Sequence, residues 1–253
     1  ISVGANPIAI TNCLNFGSPE NEENMGEFVE CVAGIGEASK YLNFPVVSGN
    51  VSFYNQTKEI GIKPTPCIGG IGLIKNYEKM ITMDFKEIDN LVLLIGKTEG
   101  HIDQSLFARV ILDEKNGPPP EVNLFNEKNN GESLLNLIDK NLIKSAHDIS
   151  LGGLITALSK MCIMGNKGIK LKKTRNLINE IEYLFAEDQG RYIVEISPKD
   201  LIEVAKILDK NSVHHEEIGV ITNKDMIINE KTKVTIDELR SYYTNWLTDY
   251  MSS

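Results

Sequence analysis

The sequence predicts an α/β fold in two parts, and three observations carry the prediction. Short apolar, β-branched runs alternate with stretches whose apolar residues recur at helical spacing. Asparagine, serine and glycine cluster directly behind the first two runs, where open α/β sheets present backbone and short side chains to ligands. A charged stretch near residues 76–89 divides a first part, residues 1–80, from a second, residues 81–253.

The elements follow in order. Pro7-Ile8-Ala9-Ile10-Thr11 reads as a buried strand. Ser18 is the expected N-cap of the next helix, with Pro19 in its first turn and Glu20, Glu22 and Glu23 at the positive end of its dipole. Met25, Phe28, Val29, Val32, Ile35 and Leu42 give that helix an expected buried stripe, and Phe44-Pro45 stops it. Pro45 to Ser48 is a second strand, with Gly49 to Ser52 as its exit. Cys67 to Ile74 mixes glycine with apolar residues, as in a strand with close backbone neighbours. In the second part, Leu91 to Gly96 is another buried strand and Gly117-Pro118-Pro119-Pro120 a rigid connector. Helices are expected over Leu134–Ile143, from Gly152 through Met161, and over Asp200–Leu208. Strands are expected over Arg191–Ile196 and Glu217–Ile221.

Composition limits the functions open to the chain. It has 253 residues, 42% of them apolar and 24% charged, an ordinary globular balance. Its formal net charge is −9. Without a long Lys/Arg cluster it offers nucleic acid no basic face. The nearest candidate, Lys170-Leu171-Lys172-Lys173, reads as a solvated edge. Cysteines 13, 31, 67 and 162 show no metal-ligand spacing. They fit reduced thiols in a cytoplasmic protein, with Cys13 and Cys67 expected to be buried. No apolar run has the length of a membrane span, so no membrane association is expected. The opening Ile1 to Pro7 reads as domain interior, which predicts a chain cut short at its N-terminal side.

Two clusters carry candidate chemistry. In Thr11-Asn12-Cys13-Leu14-Asn15-Phe16-Gly17, two amides and a glycine follow a strand, and an amide can hold an adenine edge, a hydroxyl or a phosphate oxygen. In Ser48-Gly49-Asn50-Val51-Ser52, the glycine admits a phosphate to the backbone and Asn50 offers a hard oxygen to magnesium. Ser52 falls on the same side as Asn50 if the segment is extended. Each cluster also reads as an ordinary turn. Neither is a Walker loop, and the glutamates behind Ser18 would repel a free phosphate. His147-Asp148 reads as an oriented histidine beside a helix cap formed by Asp148 or Ser150. Arg191 reads either as a clamp for an anion or as an internal ion pair.

Longer segments carry a resemblance. Asn6 to Glu20, Pro45 to Asn55 with Pro64-Thr65-Pro66, Gly117 to Val122, Ser145 to Leu154 and Gln189 to Tyr192 together resemble, in order, phosphoribosylformylglycinamidine synthase, the large synthetase subunit of bacterial type. The resemblance covers nearly the whole chain. It implies an aminoimidazole-ribonucleotide-synthetase-like fold: a truncated N-terminal sheet and helix domain, then an α/β C-terminal domain, together the second half of the family chain.

It also implies an ATP- and Mg2+-dependent ligase. That enzyme turns formylglycinamide ribonucleotide and ammonia into formylglycinamidine ribonucleotide, ADP and phosphate. A glutaminase subunit releases the ammonia and a small subunit helps assembly. Carried over by motif, Asn12 and Gly49 contact ATP, Asn50 binds magnesium and Ser52 contacts the ribonucleotide. The family's catalytic histidine and main magnesium carboxylates are expected in a preceding half, so no residue here is matched to them, and the chain alone is expected to be inactive. The sheet edge left by truncation predicts a homodimer or larger. Two other readings remain. One is a relative within the same superfamily, such as selenophosphate synthetase or a hydrogenase maturation factor. The other is a non-catalytic scaffold half with an auxiliary nucleotide and a face for the glutaminase.

Overall fold

The computed structural model describes residues 1–173, 178–230 and 232–252. They form two compact units, the first Ile1 with Ala5–Lys75 and the second Ser2–Gly4 with the chain from Asn76 onward.

The first unit runs β1 (Asn6–Asn15), α1 (Glu22–Tyr41), β2 (Val46–Ser52), β3 (Gln56–Thr57), β4 (Ile60–Gly61) and β5 (Thr65–Leu73). Its main sheet has the order β2-β1-β5, with β1 parallel to β2 and antiparallel to β5. Ile10, Leu14 and Phe16 are its buried apolar residues. Phe28 of α1 meets Phe16 edge-on with ring centroids 5.2 Å apart, and meets Phe53 at 5.1 Å. Such aromatic pairs each contribute about 0.5–1.5 kcal/mol beyond area burial.

Several expectations change here. The N-cap of α1 is Asn21, whose side chain accepts from Glu23 N at 2.9 Å and Asn24 N at 3.1 Å. Ser18 instead accepts from Glu20 N, in a turn that delays the helix. The apolar stripe of α1 is not buried, since Met25, Val29 and Val32 are all exposed. Gly49 to Ser52 belongs to β2 itself and is not its exit. Cys67 is exposed and Cys13 half-buried, against the expectation of burial. The two stand opposite each other in the β1/β5 pairing, on the open polar face of this small sheet.

The second unit runs β6 (Leu91–Ile95), α2 (Leu106–Val110), α3 (Leu124–Asp139), β7 (Ser145–Asp148), α4 (Gly153–Gly165), β8 (Gly168–Leu171), α5 (Glu180–Phe185), β9 (Tyr192–Ile196), α6 (Leu201–Lys210), β10 (His215–Thr222), β11 (Met226–Ile228), β12 (Thr232–Val234) and α7 (Ile236–Ser252). Among the described residues its sheet has the order β12-β11-β8-β10-β6-β9-β7 and is antiparallel except for β8/β11. β6 and β9 are both interior strands, with β7 forming the edge beside β9. Val92, Leu94 and Ile193 join one core with Leu154, Leu158 and Met161 of α4. Alternation turns Leu93, Ile95, Val194 and Ile196 to the opposite face, and these too are fully buried. A strand covered on both faces reads as an unbroken apolar run, which is why both were predictable.

Glu195 interrupts that run. Its carboxylate is fully buried and accepts four hydrogen bonds, from Lys86 N (2.8 Å), Glu87 N (2.9 Å), Asn90 Nδ2 (2.7 Å) and Ser145 Oγ (2.9 Å). It thus ties the loop before β6 and the start of β7 to the sheet. The helix α3 begins at Leu124, ten residues before the expected start at Leu134, with Asn123 as its N-cap.

Candidate functional site

The residues singled out in the first unit all lie on β1 and β2. In the parallel register Thr11 pairs with Ser48, Asn12 with Gly49, Cys13 with Asn50, and Asn15 with Ser52. Paired residues in such a ladder project to the same face. Two contacts fix which is which. The Thr11 and Ser48 hydroxyls lie 2.9 Å apart, and a Cβ placed on Gly49 would fall on the side-chain oxygen of Asn12. Asn12 and Gly49 therefore share one face, while Asn50 and Ser52 share the other with Cys13 and Asn15.

The geometry brings the four residues together in pairs. Asn12 lies flat over Gly49, and glycine is required there because Asn12's backbone oxygen would also stand 2.5 Å from any Cβ. Asn50 is exposed on an outer strand. Ser52 is oriented by Asn55, whose Nδ2 donates to Ser52 Oγ at 3.1 Å, to Ser52 O at 2.9 Å and to Phe16 O at 3.0 Å. The orienting amide lies within the segment that carries the resemblance, but its role needs the turn after β2 to be seen.

No charged residue occurs in β1, β2 or β5. The surface is built of amides, hydroxyls and backbone, which position an anion without repelling it. Asn50 can supply a metal with one neutral oxygen. Among the described residues no three His, Cys, Asp or Glu side chains are grouped to hold a metal. Magnesium therefore fits here only with most of its ligands coming from phosphate, water or another chain segment. The chain's histidines, at positions 101, 147, 214 and 215, all fall in the second unit, so the first carries no imidazole for acid–base work.

The two sites of uncertain role in the second unit resolve structurally. Arg191 is buried: Nε donates to Asp188 O at 3.1 Å, Nη1 to Thr98 Oγ1 at 3.0 Å and Nη2 to Ala186 O at 2.6 Å. Asp188, 4.0 Å from it, accepts from the backbone N–H groups of Glu99, Gly100 and His101. The pair holds a loop in place and leaves no arm free for a ligand. His147 Nδ1 stands 3.4 Å from Asp148 Oδ1, a contact that holds the Asp148 carboxyl below its ordinary range. The share of stability this gives is present at neutral pH and lost as pH falls through the lowered value. Neither Asp148 nor Ser150 caps α4. That helix follows Gly152, at φ 82°, whose N–H donates to Glu187 Oε1 at 2.8 Å.

Two family models match the chain: AIR synthase related protein, N-terminal domain, over residues 1–74, and AIR synthase related protein, C-terminal domain, over residues 87–229. Phosphoribosylformylglycinamidine synthase subunit PurL of Pelagibacter ubique (strain HTCC1062) is 73% identical over 253 residues, covering 100% of this chain and 35% of its own length. The chain thus spans about a third of the length of the curated relatives it matches. Among solved structures, T. maritima PurL complexed with ATP aligns with 94% of this chain and 38% of its own, at TM-score 0.70 and 17% identity. T. maritima PurL complexed with FGAR aligns with 94% and 40%, at TM-score 0.71 and 19% identity. At that identity the likeness is one of fold.

Proposed function

This chain belongs to the AIR synthase related proteins, and on that premise we propose that it is part of an ATP-dependent C–N ligase of purine biosynthesis. The whole enzyme would convert formylglycinamide ribonucleotide and ammonia into formylglycinamidine ribonucleotide, ADP and phosphate. The observation that carries this reading is the 73% identity to a PurL subunit over 253 residues, 100% of this chain. Glutamine-derived ammonia, a glutaminase subunit, a small assembly subunit and a cytoplasmic setting belong to the same proposal.

Within it, Asn12 and Gly49 contact ATP, Asn50 gives an oxygen to Mg2+ and Ser52 meets the ribonucleotide. The shared face of Asn12 and Gly49 supports a flat contact between nucleotide and strand. The opposite face puts Ser52 in reach of a second molecule. β2 is an outer strand of its sheet, so one ligand can bear on both faces at its rim. Magnesium, when bound, offsets phosphate charge and aligns the transfer. The chain's own part is to position, with neutral groups, and this supports placing the reacting proton acceptor in a preceding half of the enzyme. The 1–80 and 81–253 parts would be N-terminal and C-terminal synthetase-like domains of that enzyme.

The purified chain is accordingly expected to form no ADP with ammonia, ATP and formylglycinamide ribonucleotide. A longer chain carrying the preceding half should turn over, and should lose turnover on Asn50→Ala. Turnover by the short chain would overturn the proposal. Full activity of the Asn50→Ala enzyme would favour the second reading, a scaffold half with its own auxiliary nucleotide. The absence of any histidine from the first unit is what supports that alternative.

We also propose that the chain self-associates through the outer strands of its first unit. Val46, Val47 and Val51 of β2 and Ile68, Ile71 and Leu73 of β5 are exposed apolar residues on unpaired edges, which readily find partner strands. Light scattering is expected to give a dimeric or larger mass; a monomer over the micromolar range would refute it.

A further inference from the structure

The second unit contains a cavity of about 620 Å³. It lies where β6 ends, β9 and β10 begin and α3 starts. One wall is the N-cap Asn123 with Asn126, Glu127 and Asn130 of α3, at positions i, i+3, i+4 and i+7. That spacing marks the inward face of a helix, and it is normally apolar. Farther along α3, the inward residues are apolar and buried, Leu134, Leu137 and Ile138. In the first two turns the pattern is reversed. Asn123 and Asn126 line the cavity at its exposed mouth and Asn130 lines it from a buried position, while Phe125 points to solvent at 54% exposure. A helix that keeps polar side chains on its inner face departs from what folding alone selects, and such departures gather at functional sites.

Glu127 is the centre of this wall. Its carboxylate is half-buried and accepts no hydrogen bond from the described residues. It lies against Gly190, where a Cβ would stand 3.2 Å from the carboxyl carbon, so glycine makes the room it occupies. Burial raises the Glu127 carboxyl above its ordinary value. Three of the other ionisable groups at the cavity, Lys97, Glu99 and Asp188, are already matched, and the imidazoles of His101 and His214 also line it. Lys97 pairs with Glu99 at 2.7 Å, and Asp188 is bound by three backbone N–H groups. His101 Nε2 is 3.1 Å from Pro118 O. Among the described residues no cation pairs with Glu127 or with the exposed Glu121.

We propose that this cavity binds a small organic cation, an amidinium, guanidinium or primary ammonium group on a polar molecule, with Glu127 as counter-ion. Asn126, Asn130 and Gln189 are its neutral hydrogen-bonding partners. Asn130 is buried and pre-set by its Nδ2 bond to Gly190 O at 2.8 Å, which leaves its Oδ1 as an acceptor. A planar cation presents two N–H groups to one carboxylate, the strongest hydrogen-bonded pairing available to it. No Phe, Tyr or Trp side chain lines the cavity among the described residues. Among the described residues too few His, Cys, Asp or Glu side chains converge for a metal. The inference stands apart from the ligase reading and does not need it.

The test uses the 253-residue chain, 15N-labelled, titrated with acetamidine, and with acetamide as the uncharged control. Acetamidine is expected to shift the side-chain amide signals of Asn126 and Asn130 saturably, and acetamide not to. Glu127→Gln should weaken acetamidine at least about tenfold, as loss of a charged hydrogen-bond partner does. The same substitution should raise the thermal midpoint of the ligand-free chain at neutral pH, because an unmatched half-buried charge is gone. Loss of binding in a stabilised protein separates a ligand site from a structural carboxylate. Asn126→Ala should weaken binding and leave the midpoint unchanged. Equal shifts with both probes, no saturable shift, unaltered binding by Glu127→Gln, or destabilisation by it would each overturn the proposal.

Discussion

Glu195→Ala is expected to lower the unfolding free energy of the second unit by about 3–5 kcal/mol. The figure follows from stranding four donors at about 1–3 kcal/mol each, with water relieving those that are only half-buried. The carboxylate sits on β9, between β6 and the edge strand β7, and among the described residues no ion pair reaches it. Two backbone N–H groups, one amide and one hydroxyl take the place of a counter-ion, a satisfied arrangement that fixes both the Lys86–Asn90 loop and the first residue of β7. Alanine would leave a cavity as well as orphaned donors. Glu195→Gln keeps the volume but turns an amide N–H toward groups that also donate, so its loss should be smaller yet clear. Ser145→Ala removes a single partner and should cost about 1 kcal/mol. Urea melts followed by circular dichroism measure all three. A change below about 1 kcal/mol for Glu195→Ala would mean that the loop finds other acceptors and that the network is not what holds it.

How far this fold could be read from its sequence depended on where each element sits. β6 is a run of five apolar residues because both of its faces are covered, and no competing pattern obscures it. β9 stayed readable in spite of Glu195, since four of its five residues are apolar. The start of α3 was hidden for the opposite reason. Its inner face is asparagine and glutamate, so helical spacing of apolar residues emerges only at Leu134. The short strands β7, β8, β11 and β12 have three or four residues each, too few for any period to show. In α7 the signal exists: Leu239, Tyr242, Tyr243, Trp246, Leu247, Tyr250 and Met251 recur at helical spacing. At the candidate site, period two sufficed to put Asn50 and Ser52 on one side. That Asn12 covers Gly49 depends on the register of strands 37 positions apart in the chain, set by pairing and not by local pattern.

Gly49→Ala should therefore have the larger effect on function. The new methyl group would overlap the Asn12 side-chain oxygen and stand 2.5 Å from its backbone oxygen. Rotation of Asn12 can relieve the first contact but not the second, because the second partner is the strand itself. β1 and β2 must then part or shift register, and overpacking of this kind destabilises by about 1–3 kcal/mol. A double-mutant cycle with Asn12→Ala separates the two contributions. The double variant should be less damaged than the sum of the single ones, by the side-chain part of the overlap, and should still fall short of the wild type. Activity is more sensitive than stability to such a shift. If Asn12 and Gly49 hold the nucleotide as proposed, displacing them by an ångström lowers turnover of the longer chain by about 100-fold, since misalignment of bound reactants is penalised steeply. Asn12→Ala alone leaves the strands paired, so it should weaken nucleotide binding without the same loss of stability. A Gly49→Ala enzyme with unaltered melting and turnover would mean that the strand yields freely at this point, and that the face shared by Asn12 and Gly49 is not a nucleotide wall.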